Sequence, residues 1–186
     1  MADYLRLPDG LAPPADDGAA GHLAGMPLPS LVLPASNGGT VDMSRLEGRV
    51  VLYIYPATGK PGVKLPDGWD ALPGARGCTP QSCSFRDHHA ELRALGVDAV
   101  YGISAQPLAD QTEAAARLHL PFALLSDEAG DLRKALDLPW FNLAGTLYLK
   151  RMALIVEDGR IVKVFYPVFP PDRSAADVVA FLSAAL

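Results

Sequence analysis

The run Val50-Val-Leu-Tyr-Ile-Tyr55 constrains this chain more than any other stretch. An unbroken series of apolar, strand-forming residues has no polar side to turn toward water. The strand it makes must therefore be covered on both faces, as in the middle of a parallel or mixed sheet. The rest of the pattern supplies the covering layers. Residues 31–33 read as a short strand, the turn Asn37-Gly38-Gly39 leads to Val41, and Ser44 opens a brief helical turn. Thr79-Pro80 has the form of a hydroxyl N-cap followed by proline at the first helical position. The helix it predicts carries Phe85, Leu92 and Leu95 on one face and ends at Gly96. Residues 97–104 read as a strand, 108–118 as an alanine-rich helix, and 121–125 as a strand. Ser126-Asp127 caps the turn before a short helix at 132–136. Residues 150–157 and 161–168 flank Asp158-Gly159, a strong hairpin signal, and 174–186 form an amphipathic helix. This order predicts an α/β chain with a mixed central β-sheet and helices on both faces.

Two segments stand outside that frame. Residues 1–29 are rich in Pro, Gly, Ala and Asp and show no period, which reads as an extended arm lying on the surface or on a second subunit. Residues 30–186 form the domain. Within it, residues 59–76 hold Pro61, Gly62, Pro66, Gly68, Pro73 and Gly74, too many breakers for a regular element. Trp69 and Leu72 predict that this loop is pinned by its own apolar contacts.

Composition narrows the function. With 16 basic against 21 acidic residues and a net charge of −5, the chain lacks the basic face of a nucleic-acid binder. Its apolar runs are far short of the ~20 residues of a membrane span. The first ten residues show no secretory pattern. Two cysteines are too few for a disulfide scaffold, and cytosolic thiols stay reduced. The expectation is a soluble, cytoplasmic protein with neither nucleic-acid nor membrane partners.

Those two cysteines lie in Gly77-Cys-Thr-Pro-Gln-Ser-Cys-Ser-Phe-Arg-Asp87-His-His89. Cys78 stands at a helix start and Cys83 in its first turns. Unpaired N–H groups and the positive helix end favour a thiolate there, and Arg76 and Arg86 are close in sequence. Ideal helix geometry puts Cα atoms five residues apart at roughly 8.6 Å. A disulfide needs less than about 7 Å, so the pair closes only if this end of the helix unravels. A zinc site on Cys78, Cys83, His88 and His89 is the competing chemistry, but the spacing does not match known ligand patterns.

At this point the segment 77–87 resembles the peroxidatic segment of the peroxiredoxins, closest to the Q-type or bacterioferritin-comigratory branch. The resemblance extends to residues 27–34, to Leu46-Glu-Gly-Arg-Val-Val-Leu-Tyr-Ile-Tyr-Pro56, to Phe122-Ala-Leu-Leu-Ser-Asp127 and to residues 150–163, and covers about residues 25–186. It implies a thioredoxin-like fold and reduction of hydrogen peroxide and organic hydroperoxides without a cofactor or metal. It implies that Cys78 is the peroxidatic and Cys83 the resolving cysteine, joined during turnover by an intramolecular disulfide. A thioredoxin or glutaredoxin/glutathione reductant, and a monomer or homodimer, follow from the same likeness. The family's late-hairpin arginine maps onto Arg151, which opens an apolar strand where a cation needs a partner. One departure stands out. The family spaces proline, threonine and cysteine over seven positions, whereas here Pro56 and Cys78 are 22 apart. About 15 residues are inserted, with Thr58 the nearest threonine. Three sources stay open for the donor to the peroxide: Thr58 folding back, Thr79, or backbone amides alone. A thioredoxin-fold disulfide exchanger and a non-enzymatic redox sensor are the alternative functions.

Overall fold

The apolar run becomes β3 (Arg49–Ile54), the central strand of a five-stranded sheet in the order β5-β4-β3-β8-β9. The structure is a computed structural model that describes residues 6–184. β3 runs parallel to β4 (Ala99–Ser104), with Val51 opposite Val100, and antiparallel to β8 (Met152–Glu157), with Val51 opposite Ile155. β5 (Leu124–Ser126) lies parallel to β4, and β9 (Arg160–Phe165) pairs antiparallel with β8. The sheet is therefore mixed.

Alternation along β3 builds two cores. Val50, Leu52 and Ile54 face one side, where they meet Met43, Leu23 of the arm, and Leu132 and Leu136. The last two belong to α4 (Asp131–Leu136). Val51, Tyr53 and Tyr55 face the other side. There they are covered by α1 (Cys78–Asp87), α2 (His89–Ala94), Ala114 of α3 (Leu108–Arg117), and α5 (Ser174–Ala184). The last two residues of the expected C-terminal helix, like residues 1–5 of the arm, lie outside the described residues. Two small hairpins complete the fold, one of β1 (Val32–Pro34) with β2 (Thr40–Asp42) and one of β6 (Trp140–Leu143) with β7 (Thr146–Leu149). A short 3₁₀ turn at Met43–Arg45 follows β2, its Ser44 amide capped by Asp42.

Three expectations need correction. The helix start is Gly77, not Thr79. Gly77 takes a left-handed φ of 105°, and a Cβ there would sit 2.6 Å from Pro171 Cγ. Only glycine turns the chain so sharply at that spot. Cys78 is thus the first helical residue, and Pro80 falls in the first turn, where a missing N–H leaves no broken bond. The expected single helix to residue 95 is two, interrupted at His88, whose backbone N–H and ring Nδ1 both reach Ser84 O. Finally, the loop 59–76 is held by its own backbone turns, such as Trp69 N–H to Pro66 O and Ala75 N–H to Leu72 O, and its main aromatic contact is with another element. Trp69 is buried edge-on against Tyr148 at 4.9 Å and beside Phe141 at 6.3 Å, both from the β6–β7 hairpin.

The arm does not hang free. Leu23 is fully buried, and Gly25 and Leu28 donate backbone hydrogen bonds to Ile161 O and Gly159 O. Asp127 behaves as the capping pattern requires: its carboxylate accepts from the Leu132 and Arg133 amides at 2.9 Å each, although burial pushes its carboxyl above the usual range.

Candidate active site

Cys78 owes its place to Gly77 and to β3. The helix starts directly beneath the C-terminal end of the central strand, where Tyr55 still pairs with Ile103 before the chain turns at Pro56. The thiol is buried, yet two donors face its sulfur: the Ala57 backbone N–H at 3.4 Å and Arg151 Nη2 at 3.2 Å. The thiol itself donates to Ala75 O at 3.6 Å.

Arg151 sits just before β8 and is 3% exposed. Burying a guanidinium is costly unless it is paired and hydrogen-bonded. Here Nη1 donates to Gln81 Oε1, and Nη2 lies near the carbonyls of Gly74, Ala75 and Arg76 at 3.1–3.3 Å. Nε has no partner. Among the described residues no carboxylate lies within ion-pair distance of it. The group placed to carry a compensating negative charge is the Cys78 sulfur. Gln81 is itself fully buried and fixed by Ser174 Oγ of α5 at 3.2 Å, so the guanidinium is oriented from two helices and a loop.

The other candidates take different places. Arg76 pairs with Asp70 at 3.0 Å and Arg86 with Asp87 at 2.8 Å. The cation on the sulfur is therefore Arg151, the one distant in sequence. Thr58 is buried, but its hydroxyl donates to Gln106 Oε1 at 3.2 Å rather than to Cys78. Thr79 is the second residue of α1 and does not cap it. Cys83 is half-buried five residues along the same intact helix, and both cysteines are free. Burial pushes the Cys83 thiol up, opposed by the nearby Arg86 guanidinium. His89 packs against Phe122, and burial lowers its titration. Among the described residues no group of three or more His, Cys, Asp or Glu could hold a metal.

Three contributors were not visible as motifs. The Ala57 donor is a backbone amide and has no residue signature. Gln81 sat in the cysteine segment without a stated role. A polar chain behind the site, of buried Tyr55, Gln111 and Ser104 and half-buried Gln106, joins the end of β3 to β4 and α3. Burial raises the titration of Tyr53 and Tyr55 well above that of a free phenol, so both stay neutral donors; Tyr53 OH reaches Ser82 Oγ of α1 at 3.1 Å.

A cavity of ≈ 330 Å³ opens beside Arg151. Its walls come from the arm (Pro14, Asp17), the inserted loop (Leu72, Pro73), the hairpin (Phe141) and Tyr166.

A thioredoxin-like sheet that sets a cysteine at a helix start against a buried arginine is the plan of a redoxin, and the family model described as Redoxin matches residues 23–180. Peroxiredoxin Q, chloroplastic, of Oryza sativa subsp. japonica is 31% identical over 159 residues, 85% of this chain and 65% of the relative. Peroxiredoxin Q, chloroplastic, of Sedum lineare is 30% identical over 155 residues, covering 83% of this chain and 74% of its own. The solved structure of peroxidoxin BcpB from Mycobacterium tuberculosis is 26% identical and matches with a TM-score of 0.69 over 88% of this chain and 97% of its own. This chain belongs to the redoxin family, in its Q-type, bacterioferritin-comigratory peroxiredoxin branch. It spans about 65% of the length of the rice relative. No helix among the described residues is long and apolar enough to cross a membrane.

Proposed function

We propose that the chain is a thiol peroxidase that reduces hydrogen peroxide and organic hydroperoxides, with Cys78 as nucleophile and Cys83 as resolving thiol. One observation carries the reading: a buried arginine with no carboxylate partner among the described residues lies 3.2 Å from the Cys78 sulfur, with a backbone N–H at 3.4 Å on the same atom. Fixed donors in a dry site act on charge that develops during reaction and need no reorganisation at that moment.

The Cys78 thiolate attacks the terminal oxygen of the hydroperoxide. An S–O bond forms and the O–O bond breaks; the leaving oxygen takes a proton and departs as water or an alcohol. Arg151 and the Ala57 amide stabilise the thiolate and then the oxygens in line with it. Cys78 is left as a sulfenic acid, which the Cys83 thiol condenses to a disulfide with loss of water. A dithiol of the thioredoxin or glutaredoxin type, or glutathione, returns both thiols by exchange, which suits a reducing compartment such as the cytoplasm. Thr58 serves the turn that presents Ala57 and is not a donor to the peroxide. The insertion at 59–76 and the arm at 1–29 wall the cavity beside Arg151, which is apolar enough for the hydrocarbon part of an organic hydroperoxide.

The test is a coupled assay with hydrogen peroxide and organic hydroperoxides, each with thioredoxin and with glutathione/glutaredoxin as reductant. Peroxide-dependent oxidation of the reductant is the expected result. Exchange with a disulfide substrate in the absence of peroxide turnover would instead support a disulfide exchanger, and Cys78 oxidation without turnover a sensor.

A further inference from the structure

We infer that Gln106 is a positioning residue for the reaction, acting through the Pro56–Thr58 turn; the inference deepens the peroxidase reading and rests on it. The Ala57 N–H reaches the sulfur only because the turn after β3 is held in one place. Neither β3 nor the inserted loop accounts for that. Pairing with β4 ends at Tyr55, whose N–H reaches Ile103 O at 3.0 Å, and the loop beyond Thr58 is full of breakers.

Gln106 fills the gap at Thr58, and one residue further on Arg117 Nη2 donates to Gly59 O at 2.9 Å. Gln106 Oε1 accepts from the Thr58 N–H at 2.9 Å and from the Thr58 hydroxyl at 3.2 Å, while Nε2 donates back to Thr58 O at 3.3 Å. One side-chain amide thus takes the place of the strand partner that the turn has lost. The side chain is itself anchored. Ser126 Oγ donates to Gln106 O at 2.7 Å, Ser104 Oγ accepts from the Gln106 N–H at 3.2 Å, and the same Ser104 hydroxyl donates to Oε1 at 3.3 Å. Ser104 in turn accepts from Gln111 Nε2 at 2.8 Å. An amide is suited to this task because it offers donor and acceptor side by side, as a peptide unit does. In a chain with about 15 residues inserted between Pro56 and Cys78, the clamp replaces the short covalent tether that would otherwise fix the turn against the cysteine.

Gln106→Ala and Thr58→Val separate the parts. Gln106→Ala is expected to slow single-turnover oxidation of Cys78 by hydrogen peroxide about tenfold and to move the alkylation of Cys78 by iodoacetamide to higher pH. These effects are read at 25 °C in protein whose circular dichroism matches the parent. Thr58→Val removes only the hydroxyl and keeps the backbone bond to Oε1, so its effect on both readouts is expected to stay within about threefold. Gln106→Ala with a lowered melting temperature but an unchanged peroxide rate and alkylation profile would make Gln106 merely structural and overturn the inference; so would equal losses in both variants. The alkylation arm needs no peroxidase activity. A parent protein that fails to turn over peroxide would overturn the proposed function while leaving this test intact.

Discussion

At the scale of single residues the site is a problem of charge placed in a dry position. Arg151 is buried among carbonyls, an amide and one sulfur, and the sulfur alone among them can become an anion. Cys78→Ser should therefore abolish peroxide turnover with the fold intact, because a hydroxyl cannot supply the nucleophile at neutral pH. Retention of more than a few per cent of turnover would sink the assignment. Arg151 poses a finer question of shape against charge. Arg151→Lys keeps the charge but loses the planar fork that joins Gln81 to the sulfur, whereas Arg151→Ala loses both and leaves buried carbonyls without donors. Removing one donor of this kind costs about 100-fold or more in rate. Arg151→Ala should lose at least that much in Cys78 oxidation and should also be less stable, by about 1–3 kcal/mol, because buried carbonyls lose their donor. Arg151→Lys should keep most of the Cys78 alkylation rate while losing peroxide rate; equal peroxide rates in parent and lysine variant would show that charge alone suffices. Cys78 and Cys83 could be picked out from the sequence because they are its two cysteines and share one patterned segment, whereas Arg151 came only through the family resemblance. Ala57 and Gln106 could not. A backbone amide leaves no mark in the sequence, and Gln106 meets Thr58 across 48 positions with nothing local to announce the contact.

At the scale of elements, the proposed chemistry asks α1 to come apart. Cys78 and Cys83 share one unbroken helix, and five helical residues separate Cα atoms by roughly 8.6 Å, beyond disulfide reach. The unravelling has a natural limit. Phe85 is fully buried and stacks on Tyr53 with centroids 4.4 Å apart, so the helix should hold from Phe85 onward. It also has a cost: backbone hydrogen bonds worth about 0.5–1.5 kcal/mol each, which a covalent bond can offset, and the packing of Gln81 against Ser174. Oxidised protein should lose amide-exchange protection across residues 81–88, whose helical acceptors are the carbonyls of 77–84, and keep it at Leu92, which donates to His88 O. Cys83→Ser should remove that change and strand Cys78 as sulfenic acid, open to irreversible oxidation. Equal protection in reduced, oxidised and Cys83→Ser protein would mean that Cys83 is not the resolving thiol. The larger elements were legible in the sequence for a physical reason: burial on both faces leaves an unbroken apolar run, burial on one face a period, and a turn pair marks a hairpin. The β6–β7 hairpin was not, because no residue of β6 is fully buried and Phe141 and Tyr148 pack on Trp69 of the inserted loop, while Leu147 and Leu149 of β7 reach the core. The break at His88 was missed because Phe85, Leu92 and Leu95 keep a helical spacing straight through it.

At the scale of the whole molecule, three segments outside the sheet enclose one space. The arm, the inserted loop and the β6–β7 hairpin meet around the cavity beside Arg151, and the arm is fastened there by a single carboxylate. Asp17 accepts from Lys150 Nζ at 2.6 Å and from Tyr166 OH at 2.7 Å. Those two bonds hold its carboxyl far below the usual carboxylate range. A carboxyl depressed in the folded state contributes stability that is complete above its unfolded value, near 4, and is lost as pH falls toward the lower native value. The fastening should thus be constant from pH 8 to pH 5 and weaken only below about 4. It is also local. The partners are partly exposed, where ion pairs are worth little, while the next stretch of the arm is held by the buried Leu23 and by backbone bonds to β9. Asp17→Asn at pH 7 should therefore raise exchange at residues 14–19 and leave protection at 23–28 as in the parent. Because Asp17 lines the cavity, the same variant should raise KM for cumene hydroperoxide several-fold more than for hydrogen peroxide, which has no tail to hold. If exchange rose along the whole arm, Asp17 would be the clasp for all of it. If both peroxides changed alike, the cavity would have no part in choosing between them.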